Sequence, residues 1–141
     1  MHEIIPNTLW IGHAGDLSKP AALELAGVKA VIQVALAEQM PALSRDMLLA
    51  HFPIVDGAGN PRGIIAAALE TTAALIRHAV PTLVCCSGGM SRSPCIAAGA
   101  LAMTKGVDPN EALQRIIRDQ PHDVSSGLWA AVCAIVHARR S

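Results

Sequence analysis

Apolar runs rich in β-branched residues alternate along the chain with segments of helical pattern, and this alternation constrains the fold most strongly. The pattern predicts strands over residues 8–12, 28–36, 47–56 and 82–86. The three later runs are apolar almost throughout, which is typical of strands buried on both faces. Strands that alternate with helices favour an α/β fold, with a central, mostly parallel sheet flanked by helices on both faces.

The helical segments begin and end at residues that suit helix termini. Helices are predicted over residues 18–27, 64–78, 92–105, 108–119 and 126–139. Ser18 is the expected N-cap of the first. Asp108 is the expected N-cap of the fourth, with Pro109 at its first position and Glu111 at its third, a capping-box arrangement. Because no repeat, low-complexity tract or linker interrupts the pattern, we predict that residues 1–141 form a single domain.

Composition limits the partners that such a fold is expected to have. Of the 141 residues, 52% are hydrophobic, which favours a compact core over disorder. The 11 lysines and arginines balance the 11 acidic residues, so charge gives no support to nucleic-acid or membrane binding. We see no signal peptide and no apolar run long enough to span a bilayer, and we expect the four cysteines to be reduced. The sequence therefore predicts a cytoplasmic protein, with a monomer as the default.

The segment CCSGGMSRS, residues 85–93, combines thiols, a glycine-rich bend and an arginine where a predicted strand ends. Ligands of parallel α/β sheets bind beyond the carboxyl ends of strands, where loops lead into helices. Backbone N–H groups at a helix N-terminus bind anions, and a guanidinium can grip two phosphate oxygens. We therefore predict a phosphate-binding loop made of Ser87, Gly88, Gly89, Met90, Ser91 and Arg92.

The same positive environment favours the thiolate form of Cys86. A thiolate beneath a bound phosphate is a nucleophile aimed at phosphorus, and its product is a cysteinyl-phosphate that water later hydrolyses. Ser93 follows the arginine, and we expect its hydroxyl to hydrogen-bond the sulfur and help it leave. Asp56 ends a predicted strand and begins a glycine-rich loop, so it is the candidate acid for the leaving alcohol. Asp-Gly is also a common turn-former, which is the alternative for Asp56 taken alone.

These residues resemble the active-site loop of the dual-specificity branch of the cysteine-dependent protein tyrosine phosphatases, usually His-Cys-x-x-Gly-x-Ser-Arg-Ser. The segments IIPNTLWIG, LELAGVKAVIQV, HFPIVD and DQPHDVSSGLW are similar to other parts of that family, so the resemblance covers most of the chain. It implies a protein tyrosine phosphatase-like fold without metal or cofactor. It also implies Cys86 as nucleophile, Arg92 as phosphate clamp, Asp56 as general acid and Ser93 as leaving-group helper. The implied substrates are phosphorylated proteins, or small phosphoesters.

Two positions depart from the family pattern. Cys85 stands where the family has a histidine that organises the loop, and Gly88 replaces the usual alanine. The first departure motivates an alternative, a weakly active or inactive phosphatase-like module that binds phosphorylated ligands. A thiol redox sensor is a third interpretation, in which Cys86 bonds reversibly to Cys85 or Cys95, although a disulfide between adjacent cysteines is strained. Because side chains alternate along a strand, we expect Cys85 to point away from Cys86 into the core.

Overall fold

The computed structural model describes residues 1–36 and 38–139, and five of its strands form one sheet in the order β1-β2-β5-β3-β4. The strands are β1 His2–Ile5, β2 Leu9–His13, β3 Ala30–Gln33, β4 Leu48–His51 and β5 Thr82–Cys86. Strands β2, β5, β3 and β4 are parallel, and β1 pairs with β2 in the antiparallel sense. The mostly parallel sheet predicted from the sequence is confirmed, with an antiparallel strand added at one edge.

The helices lie close to their predicted positions. They are α1 Pro20–Ala26, α2 Arg62–Arg77, α3 Arg92–Lys105, α4 Pro109–Ile117 and α5 Ser126–Arg139, and a 3-10 helix spans Ala14–Ser18. The Asp108 carboxylate accepts hydrogen bonds from two amides at the start of α4, which confirms it as an N-cap. In the part of the chain that the structure describes, no helix is long and apolar enough to cross a membrane.

The prediction of Ser18 as the N-cap of α1 is wrong. The N-cap is Lys19, and Pro20 occupies the first helical position. Ser18 instead ends the 3-10 helix, where its hydroxyl donates to the carbonyl oxygen of Gly15 at 2.7 Å. The chain passes through this additional turn before α1 begins, so Ser18 lies one residue before the N-cap position of the helix.

Strands β3 and β4 are shorter than the apolar runs 28–36 and 47–56 that predicted them. The run over residues 47–56 pairs regularly only as Leu48–His51, because Pro53 has no N–H to donate to a ladder. Beyond it, the Leu36 amide still donates to the carbonyl oxygen of Ile54 at 3.1 Å. The chain thus remains beside β3 in irregular form, and this segment delivers Asp56 to the edge where the parallel strands end.

The two faces of the sheet are covered by different helices. On one face, buried side chains of β2, β3 and β5 pack with α2, α3, α4 and α5. On the other face, a smaller cluster joins the sheet to the 3-10 helix and α1; it consists of Trp10, Leu17, Leu23, Val28, Val31, Leu83 and Cys85. Coverage of both faces explains why the strands are apolar at successive positions, and it confirms the three-layer α/β arrangement.

Helix α3 lies at the centre of the larger helical layer and is buried from Ser93 to Ala102. Its neighbours approach closely at Gly99, where an added Cβ would lie 2.6 Å from side-chain atoms of both Leu69 and Val132. Small residues on α3 therefore allow α2 and α5 to pack on either side of it. The N-terminus of this enclosed helix is fixed directly behind the loop that follows β5.

Candidate active site

The loop of residues 87–91 connects the last residue of β5 to the first residue of α3. The end of β2 lies beside it, with His13 paired to Cys86 in the parallel register. The amide of Ala14 donates to the carbonyl oxygen of Ser87 at 3.3 Å. The loop is thus supported by the adjacent strand, at the carboxyl edge of the sheet where α/β proteins place their ligands.

Two backbone amides donate to the Cys86 sulfur, and a hydroxyl lies beside it. The amide nitrogens of Gly89 and Ser93 lie 3.2 and 3.4 Å from Sγ, and the Ser93 Oγ lies 3.4 Å from it. The residue is only 2% exposed. Amides at the N-terminal end of α3 place partial positive charge beside the sulfur, and such an arrangement stabilises an anion.

Ser93 is fully buried and its hydroxyl lies between two partners. It donates to the carbonyl oxygen of Gly12 at 3.3 Å and contacts the Cys86 sulfur at 3.4 Å. With a neutral thiol, the S–H donates to Oγ. With a thiolate, the hydroxyl proton has the sulfur as an alternative acceptor. The geometry allows Ser93 to stabilise negative charge on the sulfur.

The Arg92 side chain turns inward over the loop. Its Nη1 donates to the carbonyl oxygen of Ile54 at 3.0 Å, and its Nη2 donates to the Ser87 hydroxyl oxygen at 3.0 Å. A guanidinium has five N–H donors, and these two contacts fix its plane while engaging two of them. An oriented guanidinium of this kind suits bidentate contact with a phosphate.

Asp56 lies at the start of a turn that Asn60 holds in shape. The Asn60 side chain accepts from the Val55 amide at 2.8 Å and donates to the carbonyl oxygens of Val55 and Gly57, at 2.9 and 3.1 Å. The Asp56 carboxylate is exposed, and its Oδ1 accepts a hydrogen bond from the Ser91 hydroxyl at 2.6 Å. Asp56 is thereby attached to the phosphate-binding loop.

These side chains meet at a pocket of about 110 Å³. It is lined by Asp56, Cys86, Gly88, Met90, Ser91, Arg92 and Asp123. Two residues of the predicted loop, Ser87 and Gly89, are not part of this pocket lining. Ser87 instead contacts the Arg92 guanidinium, and Gly89 contacts the Cys86 sulfur. A larger cavity of about 750 Å³, bounded by the 3-10 helix, Gln33 and residues 38–42, is lined by a different set of residues. Chemistry rather than volume therefore identifies the candidate active site.

Asp123 and Ser125 also lie at the site, although no pattern in the sequence assigns them a role. The amide of Asp123 donates to the carbonyl oxygen of Met90 at 2.9 Å, and the amide of Ser125 donates to the Ser91 Oγ at 2.9 Å. Both residues belong to the segment DQPHDVSSGLW, whose only sequence signal is its resemblance to the family. Chain packing brings this segment against residues about 30 positions earlier in the sequence, a contact that no local pattern predicts.

The remaining thiols lie in apolar surroundings. Burial, reinforced by the neighbouring Cys86, raises the pKa of Cys85 to about 12. Burial, reinforced by Asp56, likewise raises the pKa of Cys95 to about 12. Cys85 packs in the smaller cluster while Cys86 belongs to the larger one, so the two side chains point to opposite faces of the sheet, as predicted.

No protein-family model matches this chain, and no curated protein matches its sequence. Solved structures match it in three dimensions. Human DUSP28 has a TM-score of 0.86 at 20% identity, over 99% of this chain and 98% of that one. The human tyrosine phosphatase-like serine/threonine/tyrosine-interacting protein has a TM-score of 0.85 at 18% identity, over 100% and 98%. A mouse putative dual specificity phosphatase has a TM-score of 0.85 at 21% identity, over 98% and 87%. The chain therefore has the fold of the dual-specificity phosphatases.

Proposed function

We propose that this protein is a cysteine-dependent phosphatase of the dual-specificity type, which hydrolyses phosphomonoesters through a cysteinyl-phosphate intermediate. One observation carries the proposal: the Cys86 sulfur receives two backbone amides, 3.2 and 3.4 Å away, in a loop whose guanidinium is already turned inward. Core packing alone does not require an arginine at that position. A nucleophile and a phosphate site in one loop fit phosphoryl transfer.

In the first step, the Cys86 thiolate attacks phosphorus while Arg92 and the loop amides bind the equatorial oxygens. The bond between phosphorus and the ester oxygen breaks, and protonated Asp56 gives its proton to that oxygen. In the second step, Asp56 takes a proton from water as the water attacks phosphorus. The phosphorus–sulfur bond breaks, and the hydroxyl of Ser93 stabilises the departing thiolate.

The pocket favours a phosphate carried on an accessible side chain or small molecule. Its volume, about 110 Å³, is small, and Met90 at its edge is 44% exposed. Phosphotyrosine, phosphoserine and phosphothreonine in proteins are the proposed substrates, with small phosphoesters as further candidates. The mouse structure named above is described as complexed with zinc tungstate, and tungstate, a tetrahedral oxyanion like phosphate, is a suitable probe here.

The test measures release of p-nitrophenol from p-nitrophenyl phosphate in the presence of reductant. Cys86→Ser is expected to abolish turnover, and Asp56→Ala to reduce it, with the full general-acid contribution of roughly 10²–10⁴-fold expected for an ester with a poor leaving group such as phenyl phosphate. Asp123→Asn is the matched control for Asp56, because this carboxylate lines the same pocket. Cys133→Ser, in α5, is the control for Cys86. Turnover that survives Cys86→Ser would contradict the proposal.

Tungstate or phosphopeptide binding without turnover would favour the alternative, a module that holds phosphorylated ligands. Cys85 in place of histidine is the observation behind that alternative. Binding is measured by calorimetry on the same preparation, with Arg92→Ala as the variant expected to lose it. These measurements distinguish hydrolysis of phosphoesters from binding of phosphorylated ligands in a single preparation of the protein.

A further inference from the structure

Ser91 occupies the N-cap position of α3 but does not behave as a cap. Serine at an N-cap normally accepts a hydrogen bond from an amide of the first turn. Within the described residues, the Ser91 hydroxyl caps no amide of α3, although the residue is only 7% exposed. Its Oγ instead lies 2.6 Å from Oδ1 of Asp56 and 2.9 Å from the amide nitrogen of Ser125.

The direction of these two hydrogen bonds is fixed by the groups involved. The Ser125 amide only donates, so the Ser91 oxygen accepts from it. The hydroxyl has one proton, and Asp56 Oδ1 is the acceptor 2.6 Å away. Oδ1 of Asp56 is therefore engaged as an acceptor. The other carboxylate oxygen, Oδ2, takes no part in this hydrogen bond.

We propose that Ser91 is a positioning residue, whose hydroxyl orients Asp56 so that Oδ2 carries the proton given to the leaving group. This inference rests on the proposed function. In the first step the proton passes from Oδ2 to the ester oxygen as the phosphorus–oxygen bond breaks. The Ser91 proton stays on Oγ throughout. Because the Ser91 hydroxyl bonds Asp56 instead of capping α3, the N-terminal amides of α3 remain available to the sulfur and the phosphate.

A second contact joins the loop after Asp56 to the segment of residues 123–127. An added Cβ on Gly127, at the start of α5, would lie 3.0 Å from the amide nitrogen of Ala58, so the loop after Asp56 packs directly on that helix. The loop after Asp56 therefore meets residues 123–127 in two ways, through the Ser91 hydroxyl and through the contact at Gly127. The orientation of Asp56 depends on both contacts, and the Ser91 hydroxyl is a polar connection between the loop and this segment.

The catalytic test exploits the leaving group. Phenyl phosphate has a poor leaving group and needs the acid, whereas p-nitrophenyl phosphate needs it less. We expect Ser91→Ala to lower kcat up to about tenfold for phenyl phosphate, the loss expected for a hydrogen bond to the neutral, protonated carboxyl that acts as the acid. The loss for p-nitrophenyl phosphate is expected to be several times smaller. Ser91→Thr, which keeps a hydroxyl, is expected to restore most of the difference.

Double variants separate positioning from general damage. In an Asp56→Asn background the acid is already absent, so adding Ser91→Ala is expected to cause no further loss of kcat. An equal loss with both substrates, or an additive loss in the Asp56→Asn background, would overturn the proposal.

Hydrogen exchange tests the hydrogen-bonded connection from Asp56 through Ser91 to Ser125 without a measurement of activity. Ser91→Ala is expected to speed amide exchange across residues 55–60 and at Ser125, and unchanged exchange overturns the connection. Should Ser91→Ala not fold, Asp56→Ala breaks the same bond from the other side, with Asp56→Asn as the control that keeps Oδ1. A wild-type protein without turnover would overturn the proposed function and the catalytic role together, whereas the exchange result judges the connection alone.

Discussion

Gly89 of the phosphate-binding loop lies directly against Gly12 of β2. An added Cβ on Gly89 would come within 3.0 Å of the Gly12 carbonyl oxygen, and its φ of +76° is in the left-handed region. The same Gly12 oxygen accepts the Ser93 hydroxyl. One backbone carbonyl thus sets both the closeness of the loop and the position of the hydroxyl beside the sulfur.

Gly89→Ala is therefore expected to destabilise the protein by about 1–2 kcal/mol from its backbone conformation alone, with a further cost from the contact. Phosphatase turnover should fall with it, because the Gly89 amide faces Cys86. Gly88→Ala is the matched control. Apart from Gly88 and its two neighbours in the chain, no described residue has a heavy atom within 4 Å of a Cβ added at Gly88. Urea unfolding and turnover of both variants check the prediction, and equal effects would contradict it.

Ser93→Ala should slow the second chemical step more than the first. The hydroxyl 3.4 Å from the sulfur stabilises the thiolate as it leaves phosphorus. A hydrogen bond to a charged group corresponds to roughly a 10–100-fold effect on kcat. Rapid mixing with p-nitrophenyl phosphate should then show a burst of product followed by slow turnover. A uniform loss of both phases would argue against this role.

Stability should fall in alkali because of the buried thiols. Burial raises the pKa of Cys85 and of Cys95 from 9.0 to about 12, so the folded state keeps both thiols neutral where the unfolded state ionises them. The free energy of unfolding should therefore be unaffected by these groups below pH 9. It should decrease as pH rises from 9 to 12, by up to about 1.4 kcal/mol per pH unit for each thiol.

The chain contains no tyrosine, which removes another neutral acid that ionises in this range. Urea unfolding at several pH values from 8 to 11 measures the slope. Cys95→Ala should reduce it, and a slope that is the same in the variant would exclude the thiol as its source.

Cys85→His, which restores the residue of the family pattern, should destabilise this chain. Cys85 is fully buried in the cluster that includes Trp10 and Leu83, and a larger ring there overpacks the core at a cost of about 1–3 kcal/mol. Cys133→His, on a half-buried site of α5, is the control and should cost less. The midpoint of thermal unfolding compares them. An unchanged midpoint for Cys85→His would show that the cluster has room for the ring.

The sequence predicted those parts of the fold and site that depend on local pattern. The apolar runs gave the parallel strands, and the spacing of Cys86 and Arg92 placed both in one loop. The sequence did not predict β1, because the short run His2–Ile5 has no distinct hydrophobic period. It also did not predict the 3-10 helix, which moved the N-cap of α1 from Ser18 to Lys19. The contacts of Asp123 and Ser125 depend on how α5 packs, so they required the three-dimensional structure.

The opposite orientation of Cys85 and Cys86 has a consequence for oxidative chemistry. Two sulfurs whose Cβ vectors diverge cannot join without movement of the strand that carries them. A sulfenic acid formed on Cys86 would thus be shielded from the thiol next to it in sequence by the sheet itself. Central strand β5, hydrogen-bonded on both sides, holds the two vicinal cysteines on opposite faces of the sheet, each packed in a different core cluster.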